Sequence, residues 1–144
     1  MNDFYTDRIL WKARKNSMVG GACRLVSDID AHRRELICEQ AQNGGDPLLL
    51  FWSASNLWTL LTNREIVSWN GKKTSSIKLD SIQKHVKLEP VEGMHPQSTK
   101  LYSQYLHVGP AGVKIWAPAG APILSLWNVL AMFPLMQGAD PAPK

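Results

Sequence analysis

Asn70-Gly71 separates Glu65-Ile66-Val67-Ser68-Trp69 from Lys73 to Leu79. Both turn residues tolerate positive φ, which a two-residue hairpin loop requires, so the pair predicts a chain that folds back antiparallel at this point. The neighbouring text repeats the pattern. Leu48 to Ser53 and Leu57 to Leu61 are short apolar runs with Ala54-Ser55-Asn56 between them, and Thr62-Asn63-Arg64 reads as a tight turn. Lys84 to Leu88 is a further strand candidate, Pro90 to Thr99 a loop, and Leu106 and Val108 alternate with Tyr105 and His107. Gly109-Pro110-Ala111-Gly112 then turns the chain into a last strand, Val113 to Ala117. Short strands joined by tight turns predict antiparallel β-structure from residue 47 onward.

The flanks read differently. Residues 3 to 43 are expected to be helical, interrupted at Gly20-Gly21, with Ala22, Leu25, Val26, Ile29, Leu36 and Ile37 at mostly helical spacing. On one continuous helix Cys23 and Cys38 would lie roughly 22 Å apart at 1.5 Å per residue, too far for a disulfide, so both are expected to be free buried thiols. Asn43-Gly44-Gly45-Asp46-Pro47 stops this segment. Downstream, Pro122 suits the first turn of a helix that continues through Phe133 and is apolar almost all round. Such a helix needs burial on more than one side. Ile123, Trp127 and Leu130 are expected to face the β-structure, leaving Leu124, Met132 and Leu135 for the N-terminal helices or a partner. A chain of 144 residues forms one core, with a Gly-, Ala- and Pro-rich tail from 137 to 144 expected to fray.

Composition narrows the function classes. Hydrophobic residues make up 44% and charged residues 19%, a globular balance. The net charge of +4 is spread evenly, with seven bases and six acids in residues 1–43 and six and five in 44–96, so no basic stripe for nucleic acid stands out. The N-terminus lacks the apolar core of a signal peptide, and the apolar run from Pro122 to Met136 is about half of what a bilayer-spanning helix requires. A cytoplasmic protein is expected.

Candidate chemistry is sparse. Asp28 and His32 share a helical face but lack further ligands, and His85, Glu89, Glu92 and His95 are scattered over a strand and loop, so no metal site is expected. No G-x-S-x-G elbow, phosphate-binding glycine loop or Cys-x-x-Cys pair occurs, and no catalytic residue or cofactor is assigned. A residual enzymatic reading would use His85, His95 or His107. Six Trp residues are the stronger clue. Trp52, Trp58, Trp69 and Trp116 fall on strands, where alternation turns some of them outward. Trp116 is opposite in phase to Val113 and Ile115, so it faces away from the core if those two face in. Lys72, Lys73, Lys78, Lys84 and Lys87 form a basic cluster within a few turns of these strands.

The segment Trp58-Thr59-Leu60-Leu61-Thr62-Asn63-Arg64-Glu65-Ile66-Val67-Ser68 resembles the second and third strands of bacterial pleckstrin-homology-like (PH-like) domains. Ser76-Ile77-Lys78-Leu79-Asp80-Ser81-Ile82 resembles the following strand and its bend, and Gly112-Val113-Lys114-Ile115 with the helix from Pro122 looks like the closing strand and capping helix. The resemblance implies an α+β fold: a PH-like antiparallel β-barrel of about seven strands over residues 47–136, capped by a C-terminal helix, with an N-terminal helical extension over 1–46. It also implies binding and not catalysis. A small chain beginning at Met1 without an effector domain is expected to be a stand-alone inhibitor, adaptor or immunity-type protein, whose partner is a protein such as a cognate toxin. Trp69, Lys72, Lys73 and Trp116 are the expected contacts. The alternatives are a membrane-surface adaptor that binds anionic headgroups through the lysines, and a homo-oligomer formed through the C-terminal helix. PH-like domains that bind phosphoinositides carry basic residues at the first hairpin loop, whereas Ser53-Ala54-Ser55-Asn56 here has none.

Overall fold

In the computed structural model, residues 4–15, 23–25, 35, 46–53, 57–90, 93, 95 and 102–133 are described. Their order is α1 (Phe4–Lys15), β1 (Cys23–Leu25), β2 (Pro47–Ser53), β3 (Leu57–Thr62), β4 (Glu65–Trp69), β5 (Thr74–Lys78), a 3-10 turn (Leu79–Ser81), β6 (Val86–Leu88), β7 (Tyr105–Val108), β8 (Val113–Trp116) and α2 (Ala121–Leu130). The fold is α+β. Strands β1 to β5 form one antiparallel sheet in sequence order, β6 to β8 a second, and no strand pairing joins the two into a closed barrel among the described residues.

Local chemistry explains most of the boundaries. Asp7 in the first turn of α1 and Lys12, Arg14 and Lys15 in the last complement the helix dipole. At the β3–β4 turn the Thr62 hydroxyl accepts the N–H groups of Arg64 (3.0 Å) and Glu65 (2.9 Å) and donates to the Glu65 carbonyl (3.1 Å). Pro122 sits in the first turn of α2. Just past the other end of α2, Lys84 donates its backbone N–H to the Phe133 carbonyl (2.8 Å) and its Nζ to Met132 O (3.2 Å), pinning the chain as it leaves the helix.

The expected helix over residues 3–43 holds at α1 but not at Cys23–Leu25, which is a strand paired with β2 in the register Cys23↔Phe51, Arg24↔Leu50, Leu25↔Leu49. Cys23 is buried, Arg24 exposed and Leu25 half-buried, a period of two that the amphipathic text conceals. Pairing wins over helical propensity because β2 would otherwise present an open edge of unpaired backbone. Cys38, the Asp28–His32 pair, the glycine pairs at 20–21 and 44–45, and the tail from 137 lie outside the described residues.

The main core lies between the sheets and the helices. Cys23, Leu49, Phe51, Leu61 and Ile66 of the first sheet meet Val86, Leu106, Val108 and Ile115 of the second, with Ile9 and Ala13 of α1 and Ile123, Leu126, Val129 and Leu130 of α2. Ile123, Leu126, Val129 and Leu130 are the fully buried residues of α2; Trp127, expected to face the β-structure, is half-buried, as are Leu124 and Met132. Helix α1 is tied down by Tyr5, whose hydroxyl donates to Asp80 and whose ring lies 5.2 Å from that of Phe133. Asn63 adds a second tether. Its Nδ2 donates to Thr6 Oγ1 (3.0 Å), and its Oδ1 accepts the Asp46 N–H (2.8 Å).

Burial pushes the Cys23 thiol up to about 12 from its ordinary 9.0, because the thiolate would sit in the apolar core. A raised acid pKa means that the folded state holds its proton longer than the unfolded chain. The resulting stability is fully present below pH 9 and is lost as the pH rises from 9 towards 12. On a Cys38→Ser background, raising the pH from about 8 to about 10.5 should cost the parent chain about 2 kcal/mol more than its Cys23→Ala variant. Urea midpoints at the two pH values check this, and equal losses in both chains would refute it.

Candidate interaction surface

Register places three tryptophans in one row. Trp52 pairs directly with Trp58, and Trp58 with Trp69, across β2, β3 and β4. Directly opposed residues share a face, and neighbouring strands lie roughly 4.8 Å apart, so the row spans about 10 Å. It lies on the face turned away from the main core. Beside it on that face Leu50, Leu60 and Val67 form a second row, opposed in the same way and buried. All three tryptophans are half-buried, less covered than the row beside them.

The row ends beside the β4–β5 turn. The Asn70 side-chain oxygen accepts the N–H groups of Lys72 and Lys73, each at 2.9 Å, and the Asn70 N–H bonds Lys73 O (3.2 Å). Gly71 supplies the positive φ of 92° that this tight loop needs. An Asx-type turn of this kind fixes the backbone under two exposed lysines, one strand end from Trp69. Of the expected contacts, the structure therefore brings Trp69, Lys72 and Lys73 together.

Trp116 is a correction. It is 2% exposed and belongs to the core, with its Nε1 donating to Gln104 Oε1 (3.2 Å). The alternation argument fails because β8 is covered on both sides. One edge pairs with β7, while its end at Trp116 meets the inner face of the first sheet. There the Trp116 N–H donates to Ser68 Oγ (2.9 Å), and the Thr59 hydroxyl donates to Trp116 O. Thr59 has one proton and gives it to that carbonyl, so the 2.9 Å contact between Thr59 and Ser68 is a bond donated by Ser68. The two hydroxyls, opposed across β3 and β4, satisfy the backbone at the end of β8.

The basic cluster separates in space. Lys72 and Lys73 occupy the turn, Lys84 closes the end of α2, and Lys87 stands opposite His107 on the second sheet. On that sheet His107 Nε2 lies 3.0 Å and Lys114 Nζ 3.1 Å from Glu89 Oε1, and Lys114 stacks 4.6 Å from the centroid of the Tyr105 ring. Burial pushes the Glu89 carboxyl up, but the hydrogen bonds from His107 and Lys114 outweigh it and hold the group below the usual carboxylate range. A histidine bonded to a carboxylate supplies half of a catalytic relay; Cys23, a protonated core thiol, does not complete it.

His85 and His95 are exposed, and Glu92 lies outside the described residues. Among the described residues no group of three or more His, Cys, Asp and Glu is placed to hold a metal ion, and no helix is long and apolar enough to cross a membrane.

Sequence reasoning passed over the row itself, although the signal was present. A two-residue loop at Asn63-Arg64 fixes Leu61 opposite Ile66, and counting back along both strands puts Trp58 opposite Trp69. Trp11 on α1 was also passed over. No protein-family model, curated protein or solved structure matches this chain.

Proposed function

We propose that this chain is a non-catalytic binding protein that recognises an acidic patch on a protein partner through Trp52, Trp58, Trp69 and the Lys72–Lys73 turn. The observation that carries this reading is the row of three half-buried tryptophans in register, ending at two exposed lysines on a fixed turn. Tryptophan offers the largest apolar area for a partner to cover at little entropic cost, which is why it dominates binding hot spots. The lysines supply orientation and a faster, salt-dependent encounter with an acidic surface.

A PH-like fold is part of the same proposal. Its support is the run of antiparallel strands β2 to β8 in two sheets, followed directly by a buried C-terminal helix. An inhibitor, immunity-type or adaptor role fits a chain that offers one such surface, and a toxin with an acidic active cleft is the most concrete partner.

The test is affinity capture from the native cells with the parent chain and two variants, Trp69→Ala and the double Lys72→Glu/Lys73→Glu. One stoichiometric protein held by the parent should be weakened at least about tenfold by each variant, with the urea midpoint unchanged in the lysine variant and each variant still folded. The lysine variant should also lose the salt dependence of the association rate. A partner held equally by all three chains would overturn the assignment of this surface.

A further inference from the structure

We infer that the outward face of α1 is a second interaction surface, built to lie on an anionic phospholipid membrane. Helix α1 docks through Tyr5, Thr6, Ile9 and Ala13, of which Ile9 and Ala13 are buried. At 100° per residue Trp11 stands roughly 160° round the helix from both Ile9 and Ala13, opposite the docked stripe. Trp11 is half-buried, and the docking contacts made among the described residues lie on the other side of the helix.

Cations surround this tryptophan. Arg8 Cζ lies 5.3 Å, Lys12 Nζ 5.8 Å and Lys15 Nζ 4.9 Å from the ring centroid, and Arg14 is exposed on the same side of the helix as Lys15. Positions 8, 11, 12 and 15 are the i, i+3, i+4, i+7 set of one helical face. Four cations against Asp7 give α1 a charge of +3 in a chain whose net is +4. The charge of α1 is thus locally positive and gathered around one aromatic ring.

The shape selects the partner. A docked helix presents a convex face, which suits a flat array of phosphates and not a small anion that needs a cleft. Tryptophan flanked by lysine and arginine is the side-chain set that settles at a membrane interface, the ring at headgroup depth and the cations on phosphates. An acidic protein would need a matching concave surface, and nothing about α1 selects for one. Binding led by the exposed Arg14 and Lys15 beside one ring is weak, reversible and sensitive to salt, since screening acts over about 8 Å at physiological ionic strength. This surface is separate from the tryptophan row, so either can fail without the other.

Co-sedimentation of the full chain with vesicles tests the inference, comparing pure phosphatidylcholine with a mixture holding about 30% phosphatidylserine. Binding to the anionic vesicles only, lost as salt rises, is expected. Each neutralised cation should lower partitioning about fivefold, so Arg14→Gln/Lys15→Gln should lower it roughly 25-fold. Trp11→Ala should weaken it as well and remove the blue shift of the emission on binding. Arg14 and Lys15 are exposed, so the urea midpoint of their double variant should be unchanged, and Lys72→Glu/Lys73→Glu should leave vesicle binding intact. Any of four results overturns the inference: no binding to anionic vesicles at low salt, equal binding to neutral ones, binding unchanged in the α1 variants, or a complex with poly-glutamate in place of vesicles.

Discussion

Replacing Trp116 by Ala is expected to destabilise the protein by roughly 3–5 kcal/mol, a large share of the 5–15 kcal/mol that holds a domain of this size together. The indole is almost wholly buried, and its removal leaves a cavity where β8 meets the first sheet. Gln104 loses the partner of its side-chain oxygen as well. The loss should appear as a lower urea midpoint with an unchanged slope. Trp116→Phe should keep most of the packing and forfeit the Nε1 bond, at about 1–2 kcal/mol. The half-buried counterpart of this experiment is Trp69→Ala, which should cost only about 1 kcal/mol. If Trp116→Ala abolished partner binding at full stability, the residue would belong to an interface after all and the core placement would be wrong.

That contrast marks where the sequence stops being readable. Glu65–Trp69 forms the expected strand and Asn70-Gly71 the expected turn, because strand alternation and a positive φ are local properties written in neighbouring residues. Strands β2, β3 and β5 also lie within a residue or two of their expected ends. Trp116 was misread because its burial depends on Thr59 and Ser68, more than forty residues earlier, whose hydroxyls bind the backbone of β8. Nothing near either residue in the sequence announces that role. Strand β1 was missed for the same kind of reason. Its three residues are strand because β2 offers an edge, and local periodicity carries no trace of a distant edge. Of the proposed surface, Trp69, Lys72 and Lys73 were legible since they flank one turn, whereas Trp52 and Trp58 join them only through register.

Helix α2 gives the second large effect. Leu126→Ala should cost about 3 kcal/mol and Trp127→Ala about 1 kcal/mol, the reverse of what residue size alone suggests. Ile123, Leu126, Val129, Leu130 and Phe133 are all fully buried, a stripe centred on Leu126. The composition of α2 leaves its phase open, because apolar residues surround it on nearly every side. Tertiary contacts fix it instead. The sheets cover one side, α1 covers another through Tyr5 against Phe133, and Lys84 holds the carbonyls of Met132 and Phe133 just past the helix. With the C-terminal end pinned in this way, the helix turns Leu126 inward and leaves Trp127 at the margin. Urea denaturation of the two single variants decides the matter, since a helix rotated to bury Trp127 would make its loss the costlier of the two. Tyr5→Ala provides the mechanistic check. Releasing the contact between α1 and Phe133 should bring the two costs closer together, because the restraint that sets the phase of α2 has been loosened.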